Sequence, residues 1–487
     1  MPSVRILSRL FEPAEDQLLT SWLFLKLLAV IYFAAFASLV FQIDGLAGTN
    51  GILPYNEKLA AEFSHSGYLA WWRNPTLFWF NAGDAALQGA AITGCLISVM
   101  LLLGRRPLLA LILLFILYLS LTHAGQIFLN FQWDTLLLES GFVAILIAGG
   151  PNHLAIFLFH WLLFRLRFLS GISKLLSHDP SWSSLTALNT YFETQPLPHA
   201  GAWYAHQLPE WMLQSATGVV LFAEIIVPFF IFLPRRFRLF AAAITILIQL
   251  LIIATSNHNW INLLTILLCL FLLDDRIVAK VVPTRLIPKT LAGRKENSGL
   301  TKKLFGAAAA ILIMAASLSW MYEMTTGRQT AQPLRKVAMS VRNFGLANVY
   351  HVFPTMQVER QELQIEGSYD GVEWRSYDFR YKPGALHKRP EFIAPYQPRL
   401  DWMIWFVPSQ RTEQLYWMDR FLRRLQENAP QVTALLANNP FAERPPRYFR
   451  VPAFRYHFTT KEQRAQTGNW WRREFLGEFP YVPPRRP

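Results

Sequence analysis

Ionisable side chains stand where the chain otherwise reads as membrane helix, and these residues have chemistry to offer. Asp134 and Glu139 lie in Gln132-Trp-Asp-Thr-Leu-Leu-Leu-Glu139. Arg165, Arg167 and Lys174 lie in Phe164-Arg-Leu-Arg-Phe-Leu-Ser-Gly-Ile-Ser-Lys174, and Glu224 precedes Pro228 in a further apolar run. A charge at bilayer depth is costly unless paired or wetted, so each points to an ion pair, a polar cavity or a reactive centre. Arg167, Gly171 and Lys174 recur at helical spacing and share one face, where the glycine admits a second backbone or a ligand. A lysine walled in by apolar groups is a usable general base, and with Arg167 beside it an anion site. The other reading of Lys174 is a side chain that snorkels to the exported interface, because its span ends near Ser177. Asp134 and Glu139, five residues apart, face different ways and form no dyad. Glu139 shares a face with Gln132 and asks for a cation from another span, Arg165 or Arg167. Pro228 is expected to kink its span. Glu224 and His258, the latter in Asn257-His-Asn259, either line a lipid or quinone pocket or satisfy freed backbone groups.

A second set of polar residues falls between the apolar runs. Glu193, His199 and His206 lie in segment 178–210, where Pro196, Pro198 and Pro209 limit flexibility, as suits a binding surface or an active-site cover. The histidines are seven apart in a proline-containing stretch, so no helix-borne metal pair is expected and no metal is assigned. Farther on, Trp470, Trp471 and Arg472 have the aromatic-plus-arginine composition of interface anchors, and with Trp374, Arg399, Asp401 and Trp402 they are candidates for binding a partner protein. Docking of Trp470-Trp471-Arg472 on the bilayer explains that triplet equally well. The sequence carries no Gly-x-Ser-x-Gly, P-loop, dinucleotide fingerprint, His-Glu-x-x-His or Cys-x-x-Cys. Its 2 cysteines, Cys95 and Cys269, both sit in apolar runs, which excludes a disulfide framework and disulfide-isomerase chemistry.

The elements that must position these groups are membrane spans. Of 487 residues, 53% are hydrophobic, and spanning-length runs recur through the first two-thirds and then stop. Candidate spans cover 20–41, 84–103, 107–124, 132–149, 153–176, 212–233, 238–254, 258–273 and 304–322, about nine in all, the first read as an uncleaved helix. Arg105-Arg106, Arg235-Arg236 with Arg238, and the basic loop 274–303 fall on one side, while 178–210 and 255–257 lack Lys and Arg. The positive-inside rule then gives a cytoplasmic N-terminus and an exported C-terminal region. A first exported loop, 42–82, carries Trp71, Trp72 and Trp79, suited to the membrane interface. The net charge of +14 reflects cytoplasmic loops and contact with anionic lipid, and no nucleic-acid partner is implied. After residue 323 the pattern alternates around Asp370-Gly371, a hairpin signal, with a second strand candidate at 447–458 and helices at 414–425 and 432–437. The fold expected is a polytopic α-helical membrane domain, 1–322, followed by a β-rich exported domain with helical inserts, 323–487.

Several strings resemble the lipase maturation factors: Gln132-Trp-Asp-Thr-Leu-Leu-Leu-Glu139, Asn189-Thr-Tyr-Phe-Glu-Thr-Gln-Pro196, Trp203-Tyr-Ala-His-Gln-Leu-Pro209 and Asn257-His-Asn-Trp-Ile-Asn262. Tyr381-Lys-Pro-Gly384, Pro395-Tyr-Gln-Pro-Arg-Leu-Asp-Trp402, Asn439-Pro-Phe441 and Pro445-Pro-Arg-Tyr448 continue the resemblance in the exported region. It implies a membrane protein that helps secreted lipases reach an active, assembled form, with the exported domain engaging the client. The absence of an Asn-x-Ser/Thr acceptor favours a bacterial inner membrane with a periplasmic C-terminal domain over an ER membrane. A shorter string, Phe168-Leu-Ser-Gly-Ile-Ser-Lys174-Leu followed by Trp182, is similar to the vitamin K-dependent γ-carboxylase-like membrane domain, in which Lys174 would be the base toward a reduced quinone.

Two expectations follow. The first is a membrane chaperone that holds folding intermediates of a secreted lipase or other exported client, in contact with membrane lipids. The alternative is a quinone-dependent carboxylase-like enzyme with Lys174 as base. No cofactor is assigned, although a bound lipid or quinone fits the polar spans.

Overall fold

The computed structural model describes residues 10–287 and 299–480. The middle of the basic loop 274–303, residues 288–298, lies outside the described residues. Helices α1 (Leu18–Val40), α2 (Asp84–Leu102), α3 (Pro107–Ala124), α4 (Gln132–Ile145) and α5 (His153–Leu176) are followed by α6 (Glu210–Ile225), α7 (Arg235–Thr255), α8 (Trp260–Cys269) and α9 (Leu300–Thr326). Among the described residues, 7 helices are long and apolar enough to cross a membrane; α4 and α8 are shorter. Hydrogen bonds fix the segments that contain both short helices at either end. At one end, Ala14 N donates to Pro151 O at 3.0 Å, and Gln17 Nε2 donates to Leu273 O at 2.6 Å. At the other, Trp260 Nε1 donates to Trp133 O at 3.1 Å. The two are shielded by their neighbours, so they can be short without exposing backbone to lipid.

Pro228 ends α6 rather than bending it. The missing N–H stops the α-helical ladder at Ile225, and the chain continues as a 3-10 turn, Val227–Phe232. Helix α9 begins and ends four residues outside the expected span 304–322.

The C-terminal region folds into two small antiparallel sheets, less β-rich than the alternation suggests, with long irregular stretches between. One has strand order β1-β5-β6, from β1 (Arg360–Leu363), β5 (Pro452–Phe458) and β6 (Trp471–Glu478). The other has order β3-β2-β4, from β2 (Ile365–Ser368), β3 (Arg375–Tyr377) and β4 (Tyr448–Arg450). The chain passes between sheets at Gln364 and again at Val451, so β1–β2 and β4–β5 each serve both. The hairpin forms as expected: Asp370 Oδ1 accepts from Val372 N at 2.8 Å and Glu373 N at 2.9 Å, and Gly371 takes φ +80°. The two expected helices appear as α10 (Thr412–Gln426) and the single turn Pro430–Thr433, which Pro430 starts early.

One hydrophobic core runs from Phe24 and Tyr32 in α1 through Trp133, Trp260 and Trp402 to Trp417 and Ala453. The C-terminal region therefore closes its core against the membrane helices, which argues against independent folding of that region. A smaller cluster packs Trp203 with Phe458, Trp470 and Trp471.

Candidate functional site

The charges inside the spans are joined to the C-terminal region by three buried clusters. In the first, α4 turns Asp134 toward Arg399, whose Nη1 and Nη2 donate to the carboxylate at 2.6 and 2.8 Å. Both side chains are 0% exposed. Tyr118 of α3 donates to the same carboxylate at 2.5 Å, and Arg399 Nη1 also reaches Phe128 O at 3.1 Å. The guanidinium lies 6.0 Å from the Trp133 ring and 5.5 Å from that of Trp260, so aromatic faces close off water.

Glu139, a turn and a half along α4, faces the other way as its spacing requires. Arg165 of α5 pairs with one oxygen. The other accepts from Asn348 N at 2.7 Å, Asn348 Nδ2 at 2.9 Å and Tyr350 OH at 2.9 Å. Gln132, on the same face, accepts from His351 N at 3.1 Å. The segment after α9 is thus stitched along one side of α4.

The third cluster is on α5 and α6. Lys174 Nζ donates to Glu224 Oε2 at 2.7 Å, Ser170 O at 3.1 Å and Val352 O at 2.8 Å. Arg167 Nη1 lies 3.3 Å from the other oxygen of Glu224, whereas its Nε and Nη2 find no acceptor among the described residues. Gly171 makes the approach possible: a Cβ there would lie 2.8 Å from the Glu224 backbone carbon. Lys174 is buried and paired, and does not snorkel. All three of its N–H bonds are used, which leaves no lone pair for a base while the ammonium is held this way.

The exported-loop candidates do not converge on one centre. Glu193 accepts from Phe458 N at 2.6 Å and meets His457 Nδ1 at 3.0 Å, with His206 Nε2 at 3.8 Å. Burial holds the His206 imidazole below its ordinary range, against the opposing pull of Glu193. His199 caps the helix Ala200–His206 by accepting from Gly201 N at 2.9 Å, and it stands apart from that cluster. His258 pairs with Tyr191 OH at 2.5 Å and packs on Phe353 and Trp402.

The expected client-binding residues divide. Arg399, Asp401, Trp402, Trp470 and Trp471 are buried, so they form the joint rather than an outer surface. Trp471 stacks on Phe458 at 4.2 Å, and Trp470 carries the Arg464 guanidinium at 3.6 Å. Arg472 is exposed and lies 3.5 Å from Glu474. Trp374 is half-buried beneath Arg450 at 4.4 Å.

Sequence reasoning missed Arg360, Glu362 and Lys382. Arg360 Nη1 donates to Glu193 O at 3.0 Å and Nη2 to Pro196 O at 2.9 Å, while Glu362 accepts from Arg360 at 2.5 Å and Lys382 at 2.7 Å. The available signal was a pair of charges two apart on the inward side of a strand. Asn348 and Tyr350, the Glu139 partners, gave no such signal.

A joint of this kind needs both halves in one chain, and both halves match known families. Residues 19–280 match the lipase maturation factor transmembrane domain, and residues 346–483 match the lipase maturation factor C-terminal domain. The chain belongs to the lipase maturation factor family. Lipase maturation factor 2 of Xenopus laevis is 33% identical, over 94% of this chain and 81% of the relative. Lipase maturation factor 1 of Mus musculus is 32% identical, over 98% of this chain and 89% of the relative. No solved structure matches the chain. The three clusters tie the family's two domains together: Asp134, Glu139 and Glu224 lie in the transmembrane match, while Asn348, Tyr350, Val352 and Arg399 lie in the C-terminal match.

Proposed function

We propose that this multi-pass membrane protein assists the folding and assembly of secreted lipases or related exported proteins, which it holds on its C-terminal region at the exported face. In a bacterial source that face is the periplasmic side of the inner membrane. One observation carries the reading: the C-terminal region is pinned by Arg399, Asn348 and Tyr350 to the bundle end opposite Arg235 and Asp274. By the positive-inside rule, the Arg-bearing end is cytoplasmic. A platform so fixed keeps a client beside the membrane from which it emerges, where transient apolar surfaces are most prone to aggregate. The names of the relatives supply the client class. Help of this kind is noncovalent holding, in keeping with a half-buried Cys95 and a buried Cys269.

The carboxylase-like alternative rests on Lys174, and the three acceptors around its ammonium favour a structural pair. The test is secreted lipase activity per unit of lipase protein in a host deleted for this gene. The deletion is complemented with wild type or with Lys174→Arg, which keeps a cation on Glu224 but cannot act as a base at neutral pH. Both are expected to restore activity. Rescue by wild type alone, with the variant inserted normally, overturns the maturation reading in favour of lysine chemistry; no effect of deletion overturns the lipase assignment.

A further inference from the structure

At the seam between α1 and the C-terminal region lies a cavity of about 420 Å³, walled by Phe41, Arg380, Tyr381, Tyr396, Leu400 and Asp401. Its position relative to the bilayer follows from α1. Twenty-three residues at 1.5 Å each give a helix of about 35 Å, enough to cross a hydrocarbon core of about 30 Å. Phe41, the next residue, therefore stands at headgroup level, and it is 77% exposed. Gln42 holds the seam shut behind it: its Nε2 donates to Gln397 O at 2.8 Å, and its Oε1 accepts from Arg399 N at 2.8 Å.

The polar lining is asymmetric. Asp401 is 2% exposed, and its Oδ1 accepts from Tyr381 N at 2.7 Å and Lys382 N at 3.1 Å. Its Oδ2 takes no hydrogen bond from any described residue. Lys382 and Lys388, whose fields reach Asp401, are paired with Glu362 at 2.7 Å and Glu391 at 3.6 Å. Burial pushes the Asp401 carboxyl above its ordinary range, the mark of a carboxylate short of a counter-charge. The Tyr381 and Tyr396 rings lie 5.8 Å apart beside it. Arg380 lines the cavity, with Nε on Leu436 O at 3.0 Å and Nη2 on Ala434 O at 2.7 Å, which leaves Nη1 without a hydrogen bond to any described residue.

We propose that this cavity binds the headgroup of an ethanolamine phospholipid, its ammonium on Asp401 beside Tyr381 and Tyr396 and its phosphate on Arg380. The free Oδ2 is an acceptor in want of an N–H donor, which an ethanolamine ammonium supplies and a trimethylated choline does not. Aromatic faces beside the carboxylate add cation–π attraction. A headgroup bearing only negative charge meets the carboxylate and is repelled. The opening at Phe41 leaves the acyl chains in the bilayer, so the lipid enters sideways without leaving the membrane. Such a lipid would stand at the joint between the membrane helices and the client-holding region.

The test presents the full-length protein in detergent with phosphatidylethanolamine, phosphatidylcholine and phosphatidylglycerol of identical acyl chains, in equal amounts, and reads retention by native mass spectrometry. Phosphatidylethanolamine is expected to be retained about tenfold over the other two, a difference of about 1.4 kcal/mol. Asp401→Asn keeps an Oδ1 for both backbone N–H groups but replaces the free oxygen with a donor, and is expected to abolish the preference. Tyr396→Leu, which breaks no hydrogen bond described here, is expected to weaken it, and it reads the site even where Asp401→Asn fails to fold. Equal retention of the three lipids, a preference for phosphatidylglycerol, or an unchanged preference in both variants overturns the proposal. So does binding of N-acetyl-lysinamide without any lipid preference, which would assign the cavity to a basic protein side chain.

Discussion

Replacing Arg399 with methionine removes, at nearly constant volume, the cation of the most enclosed ion pair among the described residues. Asp134 would keep the Tyr118 hydroxyl as a donor, at 2.5 Å, and would lose the two guanidinium bonds of 2.6 and 2.8 Å. Breaking a buried pair from one side costs about 3–5 kcal/mol, because the remaining charge is stranded away from water. The break falls on the joint between the bundle and the C-terminal region, so the loss is expected as local detachment. At 1.4 kcal/mol per factor of ten, about 3 kcal/mol raises the detached population roughly a hundredfold. Limited proteolysis of the detergent-solubilised protein follows that population when opening and closing are fast relative to cleavage. Arg399→Met is thus expected to speed cleavage within 380–450 by about two orders of magnitude, with the spans left intact. The double variant Asp134→Leu/Arg399→Met removes both charges and is expected to recover most of the loss, a coupling of at least about 2 kcal/mol in the cycle. Cleavage of Arg399→Met at the wild-type rate, or effects of the two substitutions that simply add, would refute the reasoning.

Two further outcomes follow from the same geometry. Gly171→Val sets new atoms against α6, where even a Cβ lies 2.8 Å from Glu224 and Ile225 atoms; a loss of about 1–3 kcal/mol is expected, and an unchanged thermal midpoint would show that the helices do not approach so closely. Burial holds the His206 imidazole below its ordinary value of 6.5, so the unfolded chain binds the extra proton first as pH falls. The stability due to this group is fully present above pH 6.5 and is lost as pH falls below it; His206→Phe should flatten that slope in a pH series of thermal midpoints, and an unchanged slope would rule the group out.

What the sequence by itself determined is periodic and local. Apolar run lengths marked the spans, with α5 and α3 matching their expected limits residue for residue. The fixed 100° step of a helix separated Asp134 from Glu139 and joined Glu139 to Gln132, and both relations hold in their partners. The glycine one turn into Arg167–Lys174 foretold a close neighbour, and Asp370-Gly371 its hairpin. Partner choice was decided only by tertiary structure. Asp134 meets Arg399 across 265 residues, and Glu139 meets Asn348 across 209. Nothing in either local pattern names the other, because a buried charge states that it needs a counter-charge without stating which one packing will deliver. The same gap put Trp402, Trp470 and Trp471 among expected surface anchors. Composition alone does not separate an aromatic that waits for a partner from one whose partner is another part of the same chain, and here the membrane bundle and the C-terminal region fill that role for each other.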